Sequence, residues 1–125
     1  MITRGVVITS ILLVSLAPTA QAELVEIGWS SGGTFMQQKQ IGAGKFFEVC
    51  AKLPAGLKVE WLFEASGPID FNIHYHAGKE VVYPNKMALA ARAQGTLQVK
   101  AEQDYCWMWS NKSAEPVALK ANFQR

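Results

Sequence analysis

At 125 residues, half of them apolar, the chain is long enough for one domain and too short for two. Twelve Lys and Arg stand against ten Asp and Glu with no basic run or patch, which argues against a nucleic-acid partner. The chain holds two cysteines and two histidines, few enough to single out as candidate sites.

The start reads as a secretory signal over residues 1–22. Arg4 supplies the positive end, residues 6–17 the apolar stretch, and Ala20-Gln21-Ala22 a small-residue cleavage site. That apolar stretch is short for a transmembrane helix, and an uncleaved anchor is the alternative. Cleavage leaves residues 23–125 as the mature domain, with 11 basic against 10 acidic residues. The expected location is periplasmic or secreted, with no membrane span after cleavage. In an exported chain an even cysteine count favours a structural disulfide, so Cys50 and Cys106 are expected to pair. They lie far apart and form no Cys-x-x-Cys, which speaks against a redox catalyst.

Residues 24–29 alternate apolar and polar, as a first strand does, and residues 30–33 form a turn cluster. Residues 34–44 are glutamine-rich and read as an irregular connection or a weak edge strand. Phe47, Val49, Ala51 and Leu53 then alternate with Phe46, Glu48, Cys50 and Lys52, which puts Cys50 on the more polar face of a strand. Val59, Trp61 and Phe63 mark another strand, which Ser66-Gly67-Pro68 is expected to break. Residues 69–77 form the next, with Phe71, Ile73 and Tyr75 facing a core and Asn72, His74 and His76 on the other side. Residues 80–83 follow, stopped by Pro84-Asn85. Residues 86–94 favour helix by composition but fit a strand and loop in this neighbourhood, with Gly95 as a turn. Residues 97–101, 105–110 and 117–123 complete the series. Short strands punctuated by Gly and Pro argue an all-β, single-domain antiparallel β-sandwich.

In the strand at 105–110, Tyr105, Trp107 and Trp109 share one face, and Cys106, Met108 and Ser110 the other. Three aromatics bury far more apolar area, at roughly 1.5–3 kcal/mol per side chain, so they take the core. Cys106 then points outward like Cys50, and the bridge is expected between strands on the sheet surface.

Residues 46–123 resemble a Golgi-dynamics (GOLD) domain, the β-sandwich in the luminal part of COP-vesicle cargo receptors. The likeness rests on Phe47-Glu48-Val49-Cys50, Val59-Glu60-Trp61-Leu62-Phe63, Ile69-Asp70-Phe71-Asn72-Ile73, and the segment from Tyr105 to Asn111. That last segment is similar to the family's pattern of Tyr, two residues, Cys, an aromatic, one residue, Asn. Tyr105, Trp109 and Asn111 fit it. Met108 stands where the family has cysteine, and Cys106 lies two residues earlier on the same face. The resemblance implies a bridge from Cys50 in about the family's place, and a sandwich used as a binding module. The family's coiled coil, membrane span and tail have no counterpart before Arg125, so vesicle cargo sorting is not carried over. An immunoglobulin-like sandwich is the competing fold, with Cys50, Trp61 and Cys106 in a loosely similar order. Against it, Tyr105 is adjacent to Cys106, and the cysteines face away from the core.

Function is less legible. His74 and His76 project from one strand face with Cα atoms about 6.5–7 Å apart, a spacing from which two imidazoles reach one metal. Imidazole suits copper and zinc, and the thioether of outward-facing Met108 adds preference for copper(I). Asp70 or Glu80 are further nearby acids. The competing explanation is that His-x-His is a polar strand face. Asn72, His74 and His76 are then the binding face of a module that recognises an unknown partner protein or envelope component. Trp29 is the tryptophan left free for exposure, and Asn111-Lys112-Ser113 matches a glycosylation acceptor or a strand-end turn. Glu60 and Glu64 lie on a solvated face, Ser30-Ser31-Gly32-Gly33 lacks phosphate-loop context, and no nucleophile constellation is visible, so an enzyme is not expected.

Overall fold

The computed structural model describes residues 5–14 and 23–125. The expected cleavage site, Ala20-Gln21-Ala22, lies outside the described residues, and residues 5–14 carry no regular structure and stand exposed. Among the described residues, no helix is long and apolar enough to cross a membrane.

The domain is all-β. Its strands are β1 (Glu23–Glu26), β2 (Thr34–Ile41), β3 (Phe46–Leu53), β4 (Lys58–Ala77), β5 (Glu80–Gln98), β6 (Gln103–Ser110) and β7 (Val117–Gln124). They follow the order β1-β3-β6-β4-β7-β2, with β5 paired to β4. The pairings are antiparallel except that β1 lies parallel to β3. β4 joins the two halves of the fold. Glu60–Ala65 of β4 pairs with β7, while Asp70–His74 pairs with β6. β5 accompanies it on the other edge throughout.

The breaks expected at 66–68 and 84–85 are therefore corrections: both lie inside continuous strands. Between Glu64 and Ile69 the β4–β5 register shifts, and here β4 leaves β7 for β6. A bulge bends its strand and re-aims side chains. Ser66 holds the corner, its Oγ accepting the Ala118 N–H at 2.9 Å. Pro84 is tolerated because β5 pairs only with β4, and an edge or bulge position does not require the missing N–H. The alanine-rich residues 86–94 are strand because a full-length partner overrides their helical leaning. Gly95 is likewise not a turn. It pairs with Trp61, and a Cβ there would stand 2.8 Å from the indole, so glycine makes room for the ring. Of the stretch 34–44, Thr34–Ile41 forms the edge strand β2.

The core lies between the halves. Trp107 meets Phe123 of β7 edge-on at 5.1 Å between ring centroids, and Trp109 meets Phe63 at 5.8 Å. Phe71 closes the cluster against Phe63 and Trp61, at 4.8 and 5.0 Å. Trp107 and Trp109 are 0% and 1% exposed, so the three-aromatic face of β6 is the inner one. Cys50 and Cys106 are paired and bonded on the opposite side.

Among the described residues, one side-chain-bearing residue has a positive φ. Leu89, in a further β5 bulge opposite Asp70, has φ 51°, a region that costs a side-chain-bearing residue about 1–2 kcal/mol. It is held by its N–H donating to Asp70 Oδ1 at 3.0 Å, and the same carboxylate meets Lys112 Nζ at 2.8 Å. The Lys112 hydrogen bond, followed by that of Leu89, holds the Asp70 carboxyl below the usual range. The Leu89 side chain is 68% exposed and loses little burial on removal. Leu89→Gly is therefore expected to raise stability by about 0.5–1 kcal/mol, the relieved strain outweighing glycine's entropy. An unchanged or lower thermal midpoint would contradict this.

Candidate functional site on the outer face of β3, β6, β4 and β5

Register brings the outward side chains of this half into rows. Glu48 pairs with Met108, which pairs with Asn72, which pairs with Lys86. One step along, Cys50 pairs with Cys106, and Cys106 with His74. Between Ile73 and Tyr75 the β4–β5 register shifts again, so that Tyr83 and Pro84 both stand opposite His74. This bulge brings the Tyr83 ring to 6.0 Å from the His74 ring.

The expectation that both imidazoles face water is corrected for one of them. Asn72 and His74 are buried, at 8% and 6% exposure, although they sit on the outer face. Neighbours on the same surface cover them: Tyr83 from β5, Met108 and the disulfide from β6, and Glu48 from β3. His76 stays exposed beyond them, its ring edge-on to His74 at 5.4 Å.

The His74 ring is fixed from one side. Nδ1 lies 2.7 Å from Asn72 Oδ1 and donates to it, since an amide oxygen only accepts. Nε2 then carries a lone pair, directed at Glu48 Oε1 3.4 Å away. Burial lifts the Glu48 carboxyl above its usual range, against an opposing pull from His76. Burial pushes the His74 imidazole down, and His76 adds to that. Both shifts favour neutral groups. Glu48, His74 and Cys106 place ligand atoms within 4.8 Å of one another, but the Cys106 sulfur is committed to its bridge and forms the floor of the cluster.

Glu48 is the residue that sequence reasoning missed. Its outward face was readable from alternation; its place beside His74 depends on β6 lying between β3 and β4, which spacing does not reveal. Asp70 is engaged by Lys112 and Leu89, and Glu80 pairs with Ala77 at the far end of the hairpin, so neither joins the cluster. Trp29 is half-buried, with the Arg125 guanidinium 5.0 Å from its ring centre. Asn111 is 1% exposed and not an open acceptor. Its Nδ2 donates to the carbonyls of Ile41, Gly42 and Glu115, while Oδ1 accepts from the Ser113 backbone and hydroxyl.

Apolar side chains ring the polar cluster. Leu24 pairs with Glu48 and so shares its side, Phe46 lies two residues from Glu48, and Val81 pairs with His76. With Tyr83 they are 39–53% exposed. The other half of the domain carries a separate open groove of about 610 Å³, lined in part by Phe35, Met36, Leu62 and Gln94. None of the cluster residues lines it.

No family model and no curated protein matches this sequence. Solved structures do resemble the fold. A periplasmic lysozyme inhibitor of g-type lysozyme from Aeromonas hydrophila superposes with a TM-score of 0.58 at 12% identity, covering 83% of this chain and 96% of the inhibitor. Its Salmonella Typhimurium counterpart gives 0.55 at 11% identity, covering 83% and 98%. The pre-peptidase C-terminal domain of a Bacillus anthracis collagenase gives 0.64 at 9% identity, covering 83% and 97%. At these identities the likeness is one of fold.

Proposed function

We propose that the chain is an exported binding module that docks a partner protein through the outer face of β3, β6, β4 and β5. The observation that carries this reading is the ring of Leu24, Phe46, Val81 and Tyr83, large apolar side chains 39–53% exposed around a buried polar cluster. Exposed large side chains, the aromatic Phe46 and Tyr83 above all, are the kind of anchor that protein interfaces bury. The face is a sheet surface and not a deep cleft, which suits a protein better than a small molecule. The signal-like start supports export, and two of the structural neighbours are periplasmic inhibitors that act on a protein.

A g-type lysozyme is accordingly the first partner to test. Residues 23–125 are expected to bind it with a measurable constant by calorimetry and to slow its activity. Phe46→Asp with Tyr83→Asp is expected to weaken that binding by at least about tenfold, the loss of an ordinary aromatic hot spot. Met36→Asp, in the groove of the other half, is expected to leave it unchanged. Wild-type affinity in the Phe46/Tyr83 variant would overturn the assignment of the face, and no binding at about 100 μM would remove g-type lysozyme as the partner.

A further inference from the structure

We propose that Glu48, His74 and His76 form a binding site for a divalent transition-metal ion of the zinc and copper class. Such a site works in the isolated chain and needs no docked partner.

The first ground is the approach of two ligand atoms. With Nδ1–H donating to Asn72, His74 turns the lone pair of Nε2 toward Glu48 Oε1 across 3.4 Å. A carboxyl oxygen and an imidazole nitrogen this close are bridged by a proton or by a metal ion. A proton shared in a hydrogen bond would draw them to about 2.7–3.0 Å. Two ligands of a tetrahedral ion, each about 2.0–2.2 Å from the metal, stand about 3.3–3.5 Å apart. The 3.4 Å separation is compatible with two ligands of one such ion.

The second ground is His76. Its ring centre lies 5.4 Å from that of His74. Two imidazoles on one tetrahedral ion have centres about 5 Å apart, given metal–nitrogen bonds of about 2.0–2.1 Å. His76 stands outside the group of ligand atoms already within 4.8 Å of one another, but it is exposed, and a turn of its side chain carries a ring nitrogen to the ion without repacking the sheet. The third ground is the support. Asn72 occupies the outer nitrogen of His74, the arrangement by which ligating histidines are oriented and their tautomer fixed. Asn72 is itself buried, so this hydrogen bond is shielded from water.

Two imidazoles and a carboxylate suit zinc(II) and copper(II), and on such a set copper(II) binds more tightly than zinc(II). Met108, beside Glu48 and Asn72 in register, supplies a thioether within the same surface and is the residue that extends the site to copper(I). The fourth position is open to solvent on the His76 side.

The test uses residues 23–125 with the bridge intact, titrated with zinc(II) against a chromophoric chelator, and with copper(II) in parallel. One zinc ion per chain is expected at micromolar Kd or tighter, with copper(II) tighter still. Glu48→Gln keeps the shape and removes the carboxylate; it is expected to weaken zinc at least about tenfold, and His76→Ala similarly. His74→Ala is expected to abolish the site. Because His74 is buried, circular dichroism is recorded on each variant, and the decisive variants are Glu48→Gln and His76→Ala, whose changes are not cavity-forming. Asp70→Asn, on the same face but paired with Lys112, is the control expected to bind as wild type. Wild-type zinc affinity in both Glu48→Gln and His76→Ala, or no zinc binding below about 100 μM, would overturn the proposal.

Discussion

Replacing Cys50 and Cys106 together by alanine is expected to lower the thermal midpoint of residues 23–125 by about 15–30 °C. The bridge closes a loop with a sequence separation of 56. The chain-entropy cost lifted from the unfolded state by such a loop is about 4 kcal/mol, and each kcal/mol moves the midpoint of a domain this size by about 4–8 °C. The effect belongs mainly to the unfolded chain. In the folded state β3 and β6 are already paired over eight residues, from Phe46–Ser110 to Leu53–Gln103, and hold their register without the sulfurs. The fold is therefore expected to survive, with unchanged far-ultraviolet circular dichroism at about 10 °C, near the usual temperature of maximum stability. A midpoint that falls by less than about 5 °C would show that the bridge restrains little.

Trp107→Ala is expected to cost about 3–5 kcal/mol, the range for removing a fully buried large aromatic. Trp107 spans the two halves: it is 0% exposed, sits in register between Val49 and Ile73, and meets Phe123 edge-on. Removing it leaves a void that neither rigid half fills. Among the described residues, the indole nitrogens of Trp107 and Trp109 are the buried side-chain polar atoms with no hydrogen-bond partner. A buried donor without an acceptor costs about 1–3 kcal/mol, so phenylalanine recovers much of the packing loss. Trp107→Phe is therefore expected to cost about 1 kcal/mol or less. Urea unfolding of both variants checks the pair. A phenylalanine cost of about 2–3 kcal/mol would show that losing the unpaired indole nitrogen brings no relief.

The faces of β6 show what alternation reveals. A period of two in Tyr105 to Ser110 placed Trp107 and Trp109 inside and Cys106 outside, and put the bridge to Cys50, expected from the cysteine count, on that outer side. Continuity was not readable in the same way. Ser66-Gly67-Pro68 and Pro84 carry ordinary break signals, yet β4 and β5 run through them, because a bulge and an edge both accommodate residues that a regular central strand rejects. The burial of His74 was hidden for a related reason. Its cover comes from Tyr83 across a bulge and from Glu48 two strands away, contacts set by strand order and not by local pattern. Asn111 shows the reverse limit: a surface sequon by spelling, it serves as a buried clasp for the chain around Ile41 and Glu115. The residues that resemble the GOLD pattern fall on β3, β4 and β6, with Asn111 just beyond β6.

The candidate site depends on β4 holding His74 in one orientation, outer nitrogen on Asn72 and free nitrogen toward Glu48, within a face otherwise suited to docking. Long-range proton–nitrogen correlation of the histidine rings, at neutral pH without added metal, reads that orientation out. A neutral His74 ring with its proton on Nδ1 and a bare Nε2 is expected, and this single tautomer should be lost in Asn72→Ala. A His74 protonated on Nε2, or averaging between tautomers as a freely solvated ring does, would rule the orientation out.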